Sequence, residues 1–254
     1  MTDNIKTALI TGAAKRLGRA IALDLARHGW AVAIHYHGSD REARATEADA
    51  RSAGVKAAIF QADLTDERET AALLGRANEA LGPITALINN ASVFEPDEWA
   101  SATRASWDHH METNLRAPFV LSQSFAHQLP KETRGAIVNI IDQRVKKPTP
   151  QFLSYSLSKA GLYWLNTTLA QGLAPFGITV NAVAPGPTIR NARQSEADFT
   201  RQRAATLLGS GAQPQDVCDA VRYLLGAHNV TGQMVSVDGG QHLIWQTQDV
   251  SGSE

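Results

Sequence analysis

Short apolar runs alternate with longer stretches of helical periodicity along the chain. The runs cover residues 7–10, 31–34, 55–60, 84–88, 136–141, 178–183 and 234–237. Most are β-branched and too short for buried helices, which predicts strands. Their hydrophobicity is continuous rather than alternating, as expected of parallel strands buried on both faces. Between them, Leu17, Ile21 and Leu25 step by four along one face, and Leu162, Leu165, Leu169 and Leu173 follow a 3-4-4 spacing. Both patterns suit amphipathic or buried helices. The alternation predicts an α/β fold: a doubly wound parallel sheet of about seven strands with helices on both faces.

No linker divides the chain. Gly29, Gly54, Gly82-Pro83 and Gly177 stand singly at element ends. A single domain over residues 1–254 is therefore expected. One irregular stretch, 185–214, is expected to hold a helix and to be where a substrate lid sits. A polar tail follows at 246–254.

Composition narrows the function. The chain has 254 residues, 43% of them hydrophobic, and a net charge of −1. That length supports a full core. The near-zero charge argues against a nucleic-acid partner. A single cysteine, Cys218, excludes an intrachain disulfide and any cysteine-based zinc or iron–sulfur site. No apolar run approaches the ~18 residues of a membrane span. The first five residues lack the basic-then-apolar signature of a secretory signal. A soluble, cytoplasmic protein without a membrane partner is expected.

The first run leads into Thr11-Gly12-Ala13-Ala14-Lys15-Arg16-Leu17-Gly18-Arg19. A strand passing through a glycine turn into a helix presents backbone N–H groups and a helix N-terminus to a phosphate. Gly12 allows unusual backbone angles, and Gly18 allows close packing. The spacing differs from G-x-G-x-x-G, because five residues separate the two glycines. The position in the first βα unit nevertheless points to a nucleotide.

The end of the second run selects the nucleotide. An NAD enzyme places Asp or Glu there for the ribose hydroxyls. Here the chain reads His35-Tyr36-His37-Gly38-Ser39, with no carboxylate before Asp40. Lys15, Arg16, His37 and Ser39 suit a 2′-phosphate, which favours NADPH over NADH. His35 and His37 share a strand face, but two histidines without nearby acids make a poor metal site, and none is expected.

Tyr155 and Lys159 are four apart and share a helix face. A nearby ammonium stabilises a phenolate, so Lys159 is expected to lower the Tyr155 pKa and make it a usable proton donor or acceptor.

With these residues in view, the chain resembles the short-chain dehydrogenases/reductases. The likeness runs from about Lys6 to Leu243 and rests on residues 11–18, Asn89-Asn90-Ala91, Asn114, Tyr155 with Lys159, Pro185-Gly186 and Val237-Asp238-Gly239-Gly240. It implies a Rossmann-type fold with Tyr155 as catalytic acid. Lys159 would tune the tyrosine and hold the nicotinamide ribose, and Asn114 would complete a proton relay through water. It implies cofactor contacts from Gly12, Arg16, Leu17, Gly18, Tyr36, His37, Ser39, Asp63 at the adenine, Leu64, Asn90, Ala91, Ser92, Tyr155, Lys159, Pro185, Gly186 and Thr188. It also implies a homotetramer with the Asn114 and Tyr155 helices at an interface. Leu162, Tyr163, Trp164 and Leu165 are consistent with burial on more than one side of the latter.

One departure narrows the chemistry. The family's catalytic serine follows the fifth strand, about a dozen residues before the tyrosine. Here Asp142 stands there, thirteen residues before Tyr155, and Ser154 is too close to replace it. A carboxylate repels a carbonyl oxygen unless protonated, and a partly buried Asp beside a tyrosine can carry a proton. It also accepts N–H donors, so it suits C=N reduction in a nitrogen heterocycle better than ketone reduction. Capping a helix is the alternative use of Asp142. Pteridine and dihydromonapterin reductases resemble the chain here, with Asp-x12-Tyr-x3-Lys, His-Tyr-His at 35–37 and Asn-Asn-Ala-Ser-x-Phe at 89–94. By this resemblance Phe94 stacks a flat pterin. Ser92 and Arg16 touch cofactor phosphate and the pterin, and Asp142 and Tyr155 complete the substrate site. Gly38 replaces a second basic residue that the subgroup often carries. The 187–195 segment does not match the subgroup's usual pattern. Its Arg190 and Arg193 are expected to face solvent rather than an anionic substrate. A carbonyl reductase or alcohol dehydrogenase, and a non-catalytic NADPH-binding protein, are the competing readings.

Overall fold

The computed structural model of the protein describes residues 6–245. The 246–254 tail and the first five residues lie outside the described residues. The strands are β1 (Thr7–Ile10), β2 (Ala31–Tyr36), β3 (Ala57–Gln61), β4 (Ala86–Asn89), β5 (Gly135–Ile140), β6 (Ile178–Pro185) and β7 (Met234–Val237). The helices are α1 (Arg16–Arg27), α2 (Asp40–Ser52), α3 (Glu67–Leu81), α4 (Arg104–Met111), α5 (Ala117–Gln128), α6 (Leu153–Leu173), α7 (Glu196–Ala204) and α8 (Pro214–Gly226). A π-helical turn, Glu112–Arg116, joins α4 to α5.

All seven strands pair in parallel, in the order β3-β2-β1-β4-β5-β6-β7. Alternation along each strand feeds two cores. Ala8, Ile10, Ile88, Val138 and Val183 pack with Ile21 and Leu25 of α1 and Val217, Val221 and Leu224 of α8. Leu9, Leu87, Ile137 and Val180 pack on the other face with Leu73 and Leu74 of α3 and Leu121 and Phe125 of α5. A strand flanked by helices on both sides has no wet face, which is why the runs are continuously apolar.

Strand ends differ from the hydrophobic runs by a residue or two. β2 continues through His35 and Tyr36, because ladder pairing with Phe60 and Gln61 needs no apolar side chain. The 185–214 segment contains α7 between irregular stretches. Among the described residues, no helix is long and apolar enough to cross a membrane.

The sheet order reverses between β1 and β4. In open α/β sheets that reversal opens a crevice at the carboxyl ends of the strands. Here it opens a cleft of about 1260 Å³, larger than a single small-molecule pocket of about 300–1,000 Å³.

Candidate active site

Thr11 closes the reversal point. Its N–H donates to Ile88 O at 3.0 Å, and its Oγ1 accepts the N–H groups of Asn90 and Ala91, each at 2.9 Å. Gly12 follows with φ +62°. A Cβ on Gly18 would lie 2.3 Å from Gly12 O and 2.5 Å from Asn90 Nδ2, so only glycine allows α1 this close. The helix starts at Arg16 with no side-chain cap on its first N–H groups. Uncapped donors beside a glycine turn fit a dinucleotide's phosphates.

His35 supports this turn in a way its sequence position did not indicate. Its Nδ1 accepts the Gly12 N–H at 3.0 Å, and its Nε2–H donates to Ala62 O at 3.1 Å. Both ring nitrogens are therefore engaged, leaving none for a metal. Burial pushes the imidazole down to about 4, so it is neutral near pH 7.

At the far end, Tyr36 and Arg44 both bond Asp40, each at 2.8 Å, which commits that carboxylate to the protein. Exposed His37 lies 3.7 Å from Asp63, while Ser39 stands at the N-cap position of α2 with no side-chain cap bond. Asp63 Oδ1 accepts the backbone N–H and hydroxyl of Thr65, and these bonds lower its pKa. Leu64, Ser92, Pro185, Gly186 and Thr188 line the same cleft.

The chemistry sits deeper, where α6 begins. Tyr155 and Lys159 are buried at 5% and 2% exposure. The Tyr155 hydroxyl donates to Asp142 Oδ2 at 2.7 Å, and the Arg144 N–H donates to Asp142 Oδ1 at 2.8 Å. Asp142 thus caps the short 3₁₀ turn Gln143–Val145 and holds the phenol at once. Lys159 Nζ donates to Ile140 O at 2.9 Å and lies 5.9 Å from the Tyr155 ring centroid. The expected lowering of the Tyr155 pKa is corrected here. Burial and the Asp142 carboxylate raise it well above the ordinary phenol range. Burial also pushes Lys159 down to about 8, against the pull of Asp142.

A family model described as short chain dehydrogenase matches residues 6–200. The chain belongs to this family. Relatives of the short-chain dehydrogenase include a 3-oxoacyl-[acyl-carrier-protein] reductase, FabG, of Staphylococcus aureus. It is 32% identical and aligns over 94% of this chain and 98% of its own. The FolM alternative dihydrofolate reductase 1 of Brucella suis, solved with NADP, superposes with a TM-score of 0.93 at 43% identity, covering 97% of this chain and 98% of its own. Its Brucella canis counterpart, also with NADP, gives 0.92 at 41% identity over 98% and 100%.

In this short-chain dehydrogenase, an aromatic pair lines the same cleft as Asp142. Phe94 stacks on Phe152 with ring centroids 4.3 Å apart and planes 10° from parallel. Its ring also meets Tyr155 at 4.7 Å in a T-shaped contact. Phe152, at φ +57°, is held in left-handed backbone that a bulky side chain rarely adopts. Arg16 shares this conformation at φ +55°. Both residues line the cleft, where such strain concentrates in enzymes.

The 92–97 loop carrying Phe94 is pinned from below. Val93 donates to Asn114 Oδ1 at 2.8 Å, and Asn114 Nδ2 donates to Val93 O at 2.9 Å and Ser158 Oγ at 3.0 Å. The Asn114 side chain thus positions the loop: its Oδ1 accepts one N–H and its Nδ2 donates to two protein partners. Glu95 N–H donates to His110 Nε2 at 3.1 Å. The Asp97 carboxylate accepts both the N–H and the hydroxyl of Ser154, which keeps Ser154 out of the chemistry.

The 187–195 segment bridges the cleft. Arg16 donates to Arg190 O at 2.9 Å and to Ile189 O at 3.2 Å. That places its guanidinium against the 187–195 segment, on the lining of the cleft. Arg193 is not merely solvent-facing. It pairs with Glu95 at 2.8 Å, bonds Phe94 O, and lies 5.6 Å from the Phe94 ring centroid. Arg190 does face outward, paired with Glu196 at 3.1 Å. Phe152 and Arg144 carried no motif in the chain, and the His-Tyr-His motif marked His35 without indicating its bond to Gly12. An aromatic three residues before the tyrosine was the one signal for Phe152.

Proposed function

We propose that this protein is an NADPH-dependent reductase of a C=N bond in a pterin-like heterocycle. The observation that carries the reading is the 2.7 Å hydrogen bond from Tyr155 to Asp142, with the Phe94 ring in T-shaped contact with the tyrosine. A carboxylate in the serine's place suits a substrate bearing N–H donors, and a flat aromatic wall suits a planar ring. The likeness to the two Brucella structures, each of a FolM alternative dihydrofolate reductase, supports the same direction.

When bound, the dihydronicotinamide supplies hydride to the ring carbon. Lys15, His37 and Ser39 take the 2′-phosphate, the uncapped start of α1 takes the pyrophosphate, and Lys159 holds the nicotinamide ribose. Tyr155, its pKa raised, carries its proton at neutral pH and gives it to the ring nitrogen. Asp142 aligns the phenol and accepts substrate N–H groups. The Phe94 wall and the strapped 187–195 loop exclude water. The protein acts in the cytoplasm as a homotetramer, in which exposed Trp164 and Leu157 of α6 are covered by a partner copy.

The FabG relatives favour a second reading, carbonyl reduction with Asp142 incidental. NADPH consumption with a 7,8-dihydropterin, a quinone and a simple ketone separates the two. Turnover with the pterin alone is expected, and turnover with the carbonyls alone overturns the proposal.

A further inference from the structure

Arg144 stands apart from the other arginines of the cleft. Its side chain makes no hydrogen bond and no ion pair with any described residue. Its Nη1 is nonetheless buried without a partner. The guanidinium lies 5.3 Å from the Phe94 ring centroid and 4.9 Å from that of Phe152, and the residue lines the cleft. Next to it, buried Gln143 lines the same wall, and its Oε1 also lacks a partner. Their neighbour Asp142 is fixed by its bonds to Tyr155 and to the Arg144 N–H.

An unpaired buried polar group is costly, and native proteins keep few. Contact with aromatic faces offsets part of the cost for a guanidinium but satisfies none of its N–H donors. Two adjacent orphans of opposite kind, a donor fork and an acceptor, stand one and two residues from Asp142. By its chemistry a single planar group would suit both: an amide edge, with C=O beside N–H, in the plane of a heterocycle.

We propose that Arg144 binds the ring oxygen of the substrate's amide edge, with Gln143 accepting the adjacent N–H, and so selects oxo-bearing heterocycles. This deepens the pterin reading of the same site and rests on it. A carboxylate on a substrate's tail would also satisfy a guanidinium, but it would leave Gln143 unpaired.

The test compares wild type with Arg144→Met and Arg144→Lys. Titration calorimetry of the NADP-loaded enzyme is run with 6-methylpterin, which has the amide edge and no tail, and with folic acid, which has both. KM and kcat follow for the dihydro forms. Arg144→Met is expected to weaken both ligands about tenfold to a hundredfold, the range for a hydrogen bond to a charged group. Arg144→Lys should recover part of the loss. Unchanged affinity for both ligands overturns the proposal. A loss confined to folic acid makes Arg144 a tail clamp and overturns it too. So does a fall in kcat at unchanged affinity, which would mean that Arg144 acts only on Tyr155. Equal NADPH affinity across the three proteins excludes misfolding. A wild type that binds 6-methylpterin but reduces no dihydropterin sinks the reductase reading, while the Arg144 comparison still decides its own. A wild type that binds neither ligand ends both.

Discussion

The Tyr155 hydroxyl donates its hydrogen to Asp142 at 2.7 Å, so the phenol is coupled to a carboxylate rather than to the lysine four residues on. Burial and this carboxylate hold the phenol's proton in place. Tyr155→Phe should lower kcat about 10²–10⁴-fold, the range for general acid catalysis. NADPH affinity by fluorescence titration should stay within about twofold. Turnover near the wild-type rate would remove Tyr155 from the mechanism.

Asp142→Ser removes the charge that raises the Tyr155 pKa. The phenol should then ionise at lower pH, seen as a shifted ultraviolet difference titration at alkaline pH. Dihydropterin turnover should fall at least tenfold with no gain on ketones. Unchanged pterin kinetics would make the carboxylate a cap for the 143–145 turn and nothing more.

His35 predicts an acid limit on stability. Its pKa in the fold is about 4, against about 6.5 in an unfolded chain. Above about pH 6.5 both states are neutral and the full stability is present. As the pH falls from there toward 4, the unfolded chain takes up the proton first and the fold loses roughly 3 kcal/mol. Urea midpoints between pH 7.5 and 4.5 should show this slope. His35→Asn should start lower and lose less, and equal slopes would dismiss the assignment.

Gly18→Ala should be severe. The new methyl would meet the Gly12 carbonyl and the Asn90 amide. Overpacking of this kind costs about 1–3 kcal/mol and here also forces the phosphate turn open. Thermal melting with and without NADPH checks it: the midpoint should drop, and stabilisation by the cofactor should shrink.

The sheet could be read from the chain because each strand is buried on two faces, and continuous apolar runs such as 136–141 are the direct result. Tyr155, Lys159 and Asp142 could be read because their spacing survives as geometry on one helix and one strand end. The Tyr155 pKa could not. Spacing brings Lys159 near the ring, but only the folded backbone reveals that its ammonium bonds Ile140 O while the carboxylate touches the phenol. The Arg16 contacts could not be read for a related reason. Its left-handed backbone aims the guanidinium across the cleft to residues 189 and 190, which no local pattern announces. Asn114 sits where the family pattern puts it, yet its partners Val93 and Ser158 come from distant parts of the chain.

The segment holding Ile189, Arg190 and Arg193 is tethered to the glycine turn by Arg16 and to the Phe94 loop by Glu95. One strap thus spans the cleft from the glycine turn to the Phe94 loop, and release of a bound molecule is expected to require an arginine to let go. The Arg193–Glu95 tether is half-exposed to water, where added ions weaken such a bond. The tempo of turnover in this enzyme should therefore belong to departure rather than to bond-making, and should quicken in brine.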